Sequence, residues 1–352
     1  MTYDDDLVLE RTEGHAGRLT LNRPRALNAL NHPMVRALDA ALERWADDPA
    51  VKTVVISGAG ERGLCAGGDI RAIREDVLRT GGTESAAFWA DEYRLNARIA
   101  AFPKPYVALM DGIVMGGGVG VSAHGSVRIV TERSRIAMPE TTIGFVPDVG
   151  GTYLLSRAPG ELGTHLALTG GSVGAADAQL CGLADHFVPS GRLPDLAADL
   201  AHRSVDEVLA RYAEQAPDGD LAADRDWIDA CYSCDDVQEI VDRLLDAGVP
   251  AAKEAAQTLL AKSPTSVKVT LAALRRAREL PSLERVLEQE YRVSCAGLAS
   301  PDLPEGVRAQ VVDKDRNPRW QPATLAEVSP QDVERFFVAP AWGDWSPAAP
   351  RF

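Results

Sequence analysis

Residues 104–122 read KPYVALMDGIVMGGGVGVS. The stretch opens on Tyr106-Val107-Ala108-Leu109-Met110, five residues without a polar alternation. A continuous apolar run of this length, bounded by turn residues, predicts a strand buried on both faces, as in a parallel sheet covered by helices. Asp111-Gly112 ends the run, and glycines follow at 116, 117, 118 and 120 before the chain enters a helical segment. Glycine lets a ligand approach the backbone closely, and a helix start leaves N–H donors unpaired at a positive dipole end. Upstream, the pattern occurs once before: the strand KTVVISG (52–58) is followed by Cys65-Ala66-Gly67-Gly68-Asp69. Two such loops can supply two converging amides, the arrangement that stabilises negative charge developing on a carbonyl or thioester oxygen. Either loop alone is equally readable as turn or close-packing glycine.

Around this centre the first half alternates strand and helix signals. LVLERTEGHAGRLTLN (7–22) carries two short β segments around Gly14 and Gly17. Pro33–Trp45 shows helical spacing of Met34, Val35, Leu38, Ala41, Leu42 and Trp45, and a long helix is expected from Ser85 to Ala101. Short strands are expected at RIVT (128–131) and RIAM (135–138), and repeated β-α units of this kind predict an α/β domain. After Pro189 the strand signal fades and amphipathic helical segments recur, punctuated by Pro217, Gly248, Pro250, Pro264, Pro281, Pro301 and Pro304. Two regions are therefore expected: residues 1–200, an α/β catalytic core, and 201–352, a mostly helical C-terminal region. The tail around Trp342 and Trp345 reads as irregular.

Composition narrows the function. Of 352 residues, 45% are apolar and 25% charged, and 37 Lys+Arg against 51 Asp+Glu leave a net charge of −14. That balance argues against nucleic acid or an anionic membrane as a partner over a broad surface. No run approaches the roughly 20 apolar residues of a bilayer span, and the acidic start MTYDDD is unlike a basic leader, so a cytoplasmic location is expected. Five cysteines do not make a disulfide framework; Cys231 and Cys234 form a lone C-x-x-C inside a helical-looking segment, without a second pair or a nearby His, and no metal role is assigned to them. Gly58-Ala59-Gly60-Glu61-Arg62-Gly63 matches the dinucleotide-binding spacing. Its third glycine should open into a helix, but Leu64-Cys65-Ala66-Gly67-Gly68 follows, and the acidic residue expected about 20 positions on is missing.

Carboxylates supply the remaining chemistry. In Ala137–Gly151, AMPETTIGFVPDVGG, Glu140 and Asp148 are the only acids among apolar, small and turn residues. Acids in such surroundings are expected to be buried, with raised pKa values suited to acid–base or nucleophilic work; helix capping or turn formation is the alternative.

Taken in order, LTLNRPRALNALN, CAGGDI, KPYVALMDGIVMGGGVGVS, RIAMPETTIGFVPDVGGTYLLSR, LALTGGSV and GLADHFV resemble the crotonase (enoyl-CoA hydratase/isomerase) superfamily over residues 8–190. AGGDIRAI, PDVGG, KSPTSVKVTL, LEQEYRVS and EGVRAQVVDKDRNPRW narrow the resemblance to the 3-hydroxyisobutyryl-CoA hydrolases and extend it to about residue 338. The resemblance implies a β-β-α superhelix core with a helical C-terminal region completing the acyl-CoA site. It implies oxyanion-hole amides at Gly68 and Gly117, a catalytic Glu140, and Asp148 at the acyl group's reacting end. Glu92 would line the substrate pocket, and Ala66, Asp69, Ile70 and Lys268 would contact CoA. Cations for the CoA phosphates are sought among Lys262, Lys268, Arg275, Arg276 and Arg278.

Hydratases of this superfamily carry a second catalytic glutamate three residues after the oxyanion glycine, and this sequence has Gly120 there. Thioester hydrolysis of a short 3-hydroxyacyl-CoA, as in valine breakdown, is therefore expected, with no metal and no cofactor beyond the CoA of the substrate. Glu140 would attack the carbonyl or act as general base on water. An enoyl- or dienoyl-CoA isomerase, which also pairs acids at these two positions, is the alternative; an altered hydratase and a non-enzymatic acyl-CoA-binding protein are further ones. Relatives of this fold assemble through C-terminal helices, so a homo-oligomer stays open beside a monomer whose long C-terminal half covers that surface.

Overall fold

The computed structural model describes residues 6–347. Its sheet begins where the sequence placed a hairpin: β1 (Val8–Glu13) and β2 (Ala16–Leu21) pair antiparallel across Gly14, whose φ of +56° suits the turn. β3 (Thr53–Gly58), β4 (Tyr106–Met110), β6 (Val127–Val130) and β8 (His186–Phe187) continue the same sheet in parallel, in the order β1-β2-β3-β4-β6-β8. β5 (Ile113–Met115) and β7 (Arg135–Ala137) form a separate parallel pair. Every residue of β4 is buried, as the unbroken apolar run requires.

Contacts divide the chain into two compact units that are not contiguous stretches. One comprises residues up to Gly68, Asp91–Ala137 and Val173–Gly219; the other comprises Asp69–Ala90, Met138–Ser172 and the chain from Asp220 onward. The first unit holds all eight strands of the described residues. The helix His32–Asp47 belongs to it: Asn31 accepts from the Met34 amide at 3.1 Å, Pro33 sits in the first turn, and the expected stripe from Met34 to Trp45 is buried. A core of Val55, Val107, Leu109 and Ile129 from the sheet meets Leu193, Leu196, Leu200 and Val208 from the helices that follow β8.

The second unit is helical. Ser263 and Ser282 cap Pro264–Glu279 and Leu283–Leu298, and Val146, Val269, Ala273, Val293 and Phe337 form a core there. The division differs from a single cut near residue 200 because Met138–Ser172 packs with the C-terminal helices. Beside the helix Asp302–Val307, a Cβ on Gly144 would lie 2.4 Å from the Asp302 carbonyl oxygen and one on Gly306 would lie 2.3 Å from the Ile143 carbonyl oxygen, so backbone meets backbone. The tail is irregular and packed by Trp345, whose indole N–H donates to the Ala90 carbonyl at 3.0 Å. The C-x-x-C segment is not one helix: Leu221–Tyr232 ends before Cys234, and Asp236 caps a new helix, Val237–Asp246. No helix among the described residues is long and apolar enough to cross a membrane.

Candidate active site

In the first unit the two glycine loops meet. Gly67 has φ of +111°, a conformation that favours glycine, and a Cβ there would approach the Met115 carbonyl oxygen at 3.2 Å and the Gly117 nitrogen at 3.7 Å. Gly117 opens the short helix Gly117–Gly120; a Cβ on it would lie 2.8 Å from Glu92 Oε1 and 3.4 Å from the Gly68 nitrogen. Neither the Gly68 nor the Gly117 amide donates to a protein acceptor among the described residues. Two available donors, side by side at the end of a buried strand, are what an oxyanion requires. Glu92, on the helix Thr83–Ala100, is 2% exposed, so it is not the solvated helix-face charge that its sequence context would suggest.

The second unit holds the acids. Glu140 begins the 3-10 turn Glu140–Ile143, which follows Pro139 and closes through the Phe145 amide donating to the Glu140 carbonyl at 3.0 Å. It is 7% exposed, and its Oε2 is buried without a hydrogen-bond partner. Burial first, then the negative charges of Asp148 and Glu290, raise its carboxyl well above the ordinary range. Asp148 is 5% exposed in the Pro-Asp-Val-Gly-Gly turn, where its carbonyl accepts from the Gly151 amide at 2.6 Å. A Cβ on Gly151 would fall 2.6 Å from the Met138 methyl, so the missing side chain lets the Met-Pro-Glu segment lie against this turn.

Glu290 is the residue that sequence reasoning missed. It lies on the helix Leu283–Leu298 and accepts from the Gly150 amide (2.6 Å), the Thr152 amide (2.9 Å) and Thr152 Oγ1 (2.5 Å). Burial pushes its carboxyl up to about 8 even though these donors favour the ionised form. The usable signal was an acid inside the apolar stripe of an amphipathic helix.

The residues expected at CoA fare unequally. Ala66 is half-buried in the first loop, its amide donating to Leu27. Asp69 caps the helix Ile70–Thr80 by accepting from the Ala72 amide, and Ile70, also half-buried, is that helix's first residue. Lys268 donates to the Val328 carbonyl at 3.0 Å, which ties two segments of the protein together through one of its three N–H donors. Arg275 pairs with Glu161 and Asp235, Arg276 with Glu334, and Arg278 with Glu161. Lys262 meets a hydroxyl instead: its Nζ donates to Thr142 Oγ1 at 2.6 Å, and burial lowers its pKa to about 8.

Converging glycine-loop amides over a parallel sheet, with buried acids on a Met-Pro-Glu turn and a Pro-Asp-Val-Gly-Gly turn, define a crotonase-fold enzyme. The chain belongs to the enoyl-CoA hydratase/isomerase family, whose profile matches residues 16–337. The mitochondrial 3-hydroxyisobutyryl-CoA hydrolase of Danio rerio is 45% identical over 341 residues, covering 94% of this chain and 89% of that protein. Its Homo sapiens counterpart is 42% identical over 344 residues, covering 95% and 88%. Of solved structures, a carnitinyl-CoA dehydratase from Mycobacterium thermoresistibile superposes with a TM-score of 0.95 at 52% identity, covering 98% of this chain and 100% of the other. An enoyl-CoA hydratase from Rhodobacter sphaeroides gives 0.92 at 43%, covering 97% and 100%.

Proposed function

We propose that the protein hydrolyses the thioester of a short 3-hydroxyacyl-CoA, foremost 3-hydroxyisobutyryl-CoA, to the free acid and CoA, the step that valine breakdown requires. Gly120 carries this reading. Water addition across a double bond by two glutamates needs a carboxylate at that position, and a buried glycine occupies it. What remains is Glu140, with a buried and unpartnered oxygen, and Asp148.

In the proposed mechanism the thioester carbonyl accepts from the Gly68 and Gly117 amides, which hold the oxyanion of the tetrahedral intermediate. Glu140 acts at the carbonyl carbon, either attacking it to form an anhydride that water then opens, or taking a proton from an attacking water. The C–S bond breaks and the departing thiolate is protonated, Asp148 orienting the hydroxyl end of the acyl group and supplying that proton. Glu92 lines the acyl pocket. Coenzyme A enters as part of the substrate and no separate cofactor is invoked. For its phosphates we rank Lys262 ahead of Lys268, since a half-buried ammonium facing a hydroxyl has unspent charge for an anion, whereas Lys268 is engaged at Val328. All proposed groups lie on one chain, so the chemistry does not require a homo-oligomer. Five free cysteines suit a reducing compartment, the cytoplasm in this reading, although the vertebrate relatives carry a mitochondrial designation.

The solved relatives named dehydratase and hydratase support water addition or removal as the second reading. Incubation with 3-hydroxyisobutyryl-CoA, 3-hydroxypropionyl-CoA and crotonyl-CoA, following free thiol and enoyl absorbance, separates the two. Thiol release from the hydroxyacyl esters is expected. Loss of enoyl absorbance without thiol release would replace the hydrolase reading with the second one.

A further inference from the structure

The turn that carries Asp148 is strained. Val149, a β-branched residue, sits at φ of +52°, and Gly150 follows at +78°. A β-branched side chain in the left-handed region costs free energy, and such a conformation persists only where its surroundings over-determine it. The group that does so comes from 140 residues further along. Glu290, 1% exposed, lies on the buried face of its helix with Leu283, Val286, Leu287, Ser294 and Gly297. Its Oε2 takes the Gly150 N–H at 2.6 Å, while its Oε1 takes both the N–H and the hydroxyl of Thr152, at 2.9 and 2.5 Å. Among the described residues no lysine or arginine pairs with it. A residue that merely filled this stripe would be apolar, since burying an unpaired carboxylate is costly unless its hydrogen bonds serve a purpose.

We propose that Glu290 is the positioning residue for Asp148: by clamping the Gly150 and Thr152 amides it fixes the Pro147–Gly151 turn, and with it the direction of the Asp148 carboxylate. The inference rests on the reading of Asp148 as the acid at the reacting end of the acyl group.

Glu290→Gln tests it at constant volume. An amide NH2 replaces one oxygen and sets donor against donor at Gly150 or Thr152, so one side of the clamp opens. Because Gln keeps the side-chain volume and adds no charge, stability should hold and Tm should stay within a few degrees. The expected result is a 10- to 100-fold fall in kcat with KM within threefold of the parent, and exchange of the Gly150–Thr152 amides at least tenfold faster in the unliganded enzyme. A structural role alone would instead lower Tm and leave kcat per folded molecule unchanged. Should Glu290→Gln not fold, Thr152→Val removes only the hydroxyl donor; kcat three- to tenfold lower, with faster exchange at Gly150, is then expected. Parental kcat or parental exchange in the folded variant overturns the proposal. The exchange arm uses no substrate, so it decides the clamp even if the parent enzyme releases no thiol, an outcome that would sink the hydrolase reading separately.

Discussion

Replacing Gly117 by alanine places one methyl group where the oxyanion is expected. The new Cβ would lie 2.8 Å from Glu92 Oε1, 3.2 Å from Leu30 Cδ1 and 3.4 Å from the Gly68 nitrogen. Carbon contacts relax near 3.5 to 4.0 Å, so Glu92 must withdraw by roughly 0.5–1 Å, and the methyl stays beside the second donor. Gly117 is not in the left-handed region, so alanine brings no backbone strain there; any loss of stability comes from overpacking, typically about 1–3 kcal/mol. Alanine keeps its own N–H, so the penalty comes from the methyl holding the oxyanion off the Gly68 amide; losing the use of one oxyanion donor lowers kcat by on the order of 100- to 1000-fold, about 2.7–4 kcal/mol of transition-state stabilisation. Chromogenic detection of CoA thiol at saturating 3-hydroxyisobutyryl-CoA measures this directly, with Tm recorded on the same sample. Gly191→Ala serves as control: it is exposed, with nothing within 4 Å of its Cβ, and should match the parent. A Gly117→Ala enzyme with kcat within threefold of the parent would refute the oxyanion assignment.

Glu140→Gln and Asp148→Asn should each lower kcat by on the order of 100- to 10,000-fold while retaining CoA binding, the range for removing a general acid or base; parental rates in both would remove these acids from the mechanism. Because Glu140 must be ionised to act and its carboxyl is raised by burial and by two neighbouring acids, kcat/KM should climb with pH well above the ordinary carboxylate range; a plateau from pH 5 upward would contradict this. Lys262→Ala should raise KM for CoA esters several-fold with little change in Tm, whereas Lys268→Ala should lower Tm and leave KM alone; the reverse pattern returns the phosphate role to Lys268. The folded state keeps the Glu290 proton up to about pH 8 whereas an unfolded chain releases it near 4.5, so the folded state binds more protons in that window and stability falls as pH rises through it. Urea unfolding at pH 5 and pH 8.5 should show that fall, and Glu290→Gln should flatten it.

Legibility in the sequence followed the range of the forces involved. TVVIS and YVALM are strands because both faces are buried, and the amphipathic runs after Pro189 are helices because they bury one stripe; both properties are local. The C-x-x-C segment shows where local reading slipped. Its helical look carries through residues 224–240, but Asp236 accepts from the Glu239 amide at 3.0 Å and starts a new helix after Tyr232. Membership of Met138–Ser172 in the helical unit was not legible, since it depends on Gly144 and Gly306 meeting backbone more than 150 residues away in chain order. The same limit hid the partners of Glu290 and of Lys268. One acts on amides 138 and 140 residues distant and the other on a carbonyl 60 residues distant, and neither partner leaves a mark near the residue itself.

Glu140 and Asp148 were legible for the opposite reason: an acid set among apolar and small residues announces its burial, whatever it touches. Reaction class is a harder matter, because fold and loops are common to the relatives named hydrolase and to those named hydratase or dehydratase. At 45% and 52% identity, overall similarity does not rank one chemistry above the other. The difference lies in how many carboxylates reach the acyl chain. Hydration must protonate one carbon and deliver water to its neighbour, and the two-glutamate solution places the second acid on the short helix that supplies the oxyanion amide. In this protein that helix is Gly-Gly-Val-Gly, without a titratable group. A tetrahedral intermediate needs less: an oxyanion hole, one basic carboxylate with a free oxygen, and an acid for the leaving thiolate. In the proposed mechanism Gly68 and Gly117, Glu140 and Asp148 take those parts, and the buried Glu290 beneath the Asp148 turn makes sense if that one acid must be aimed.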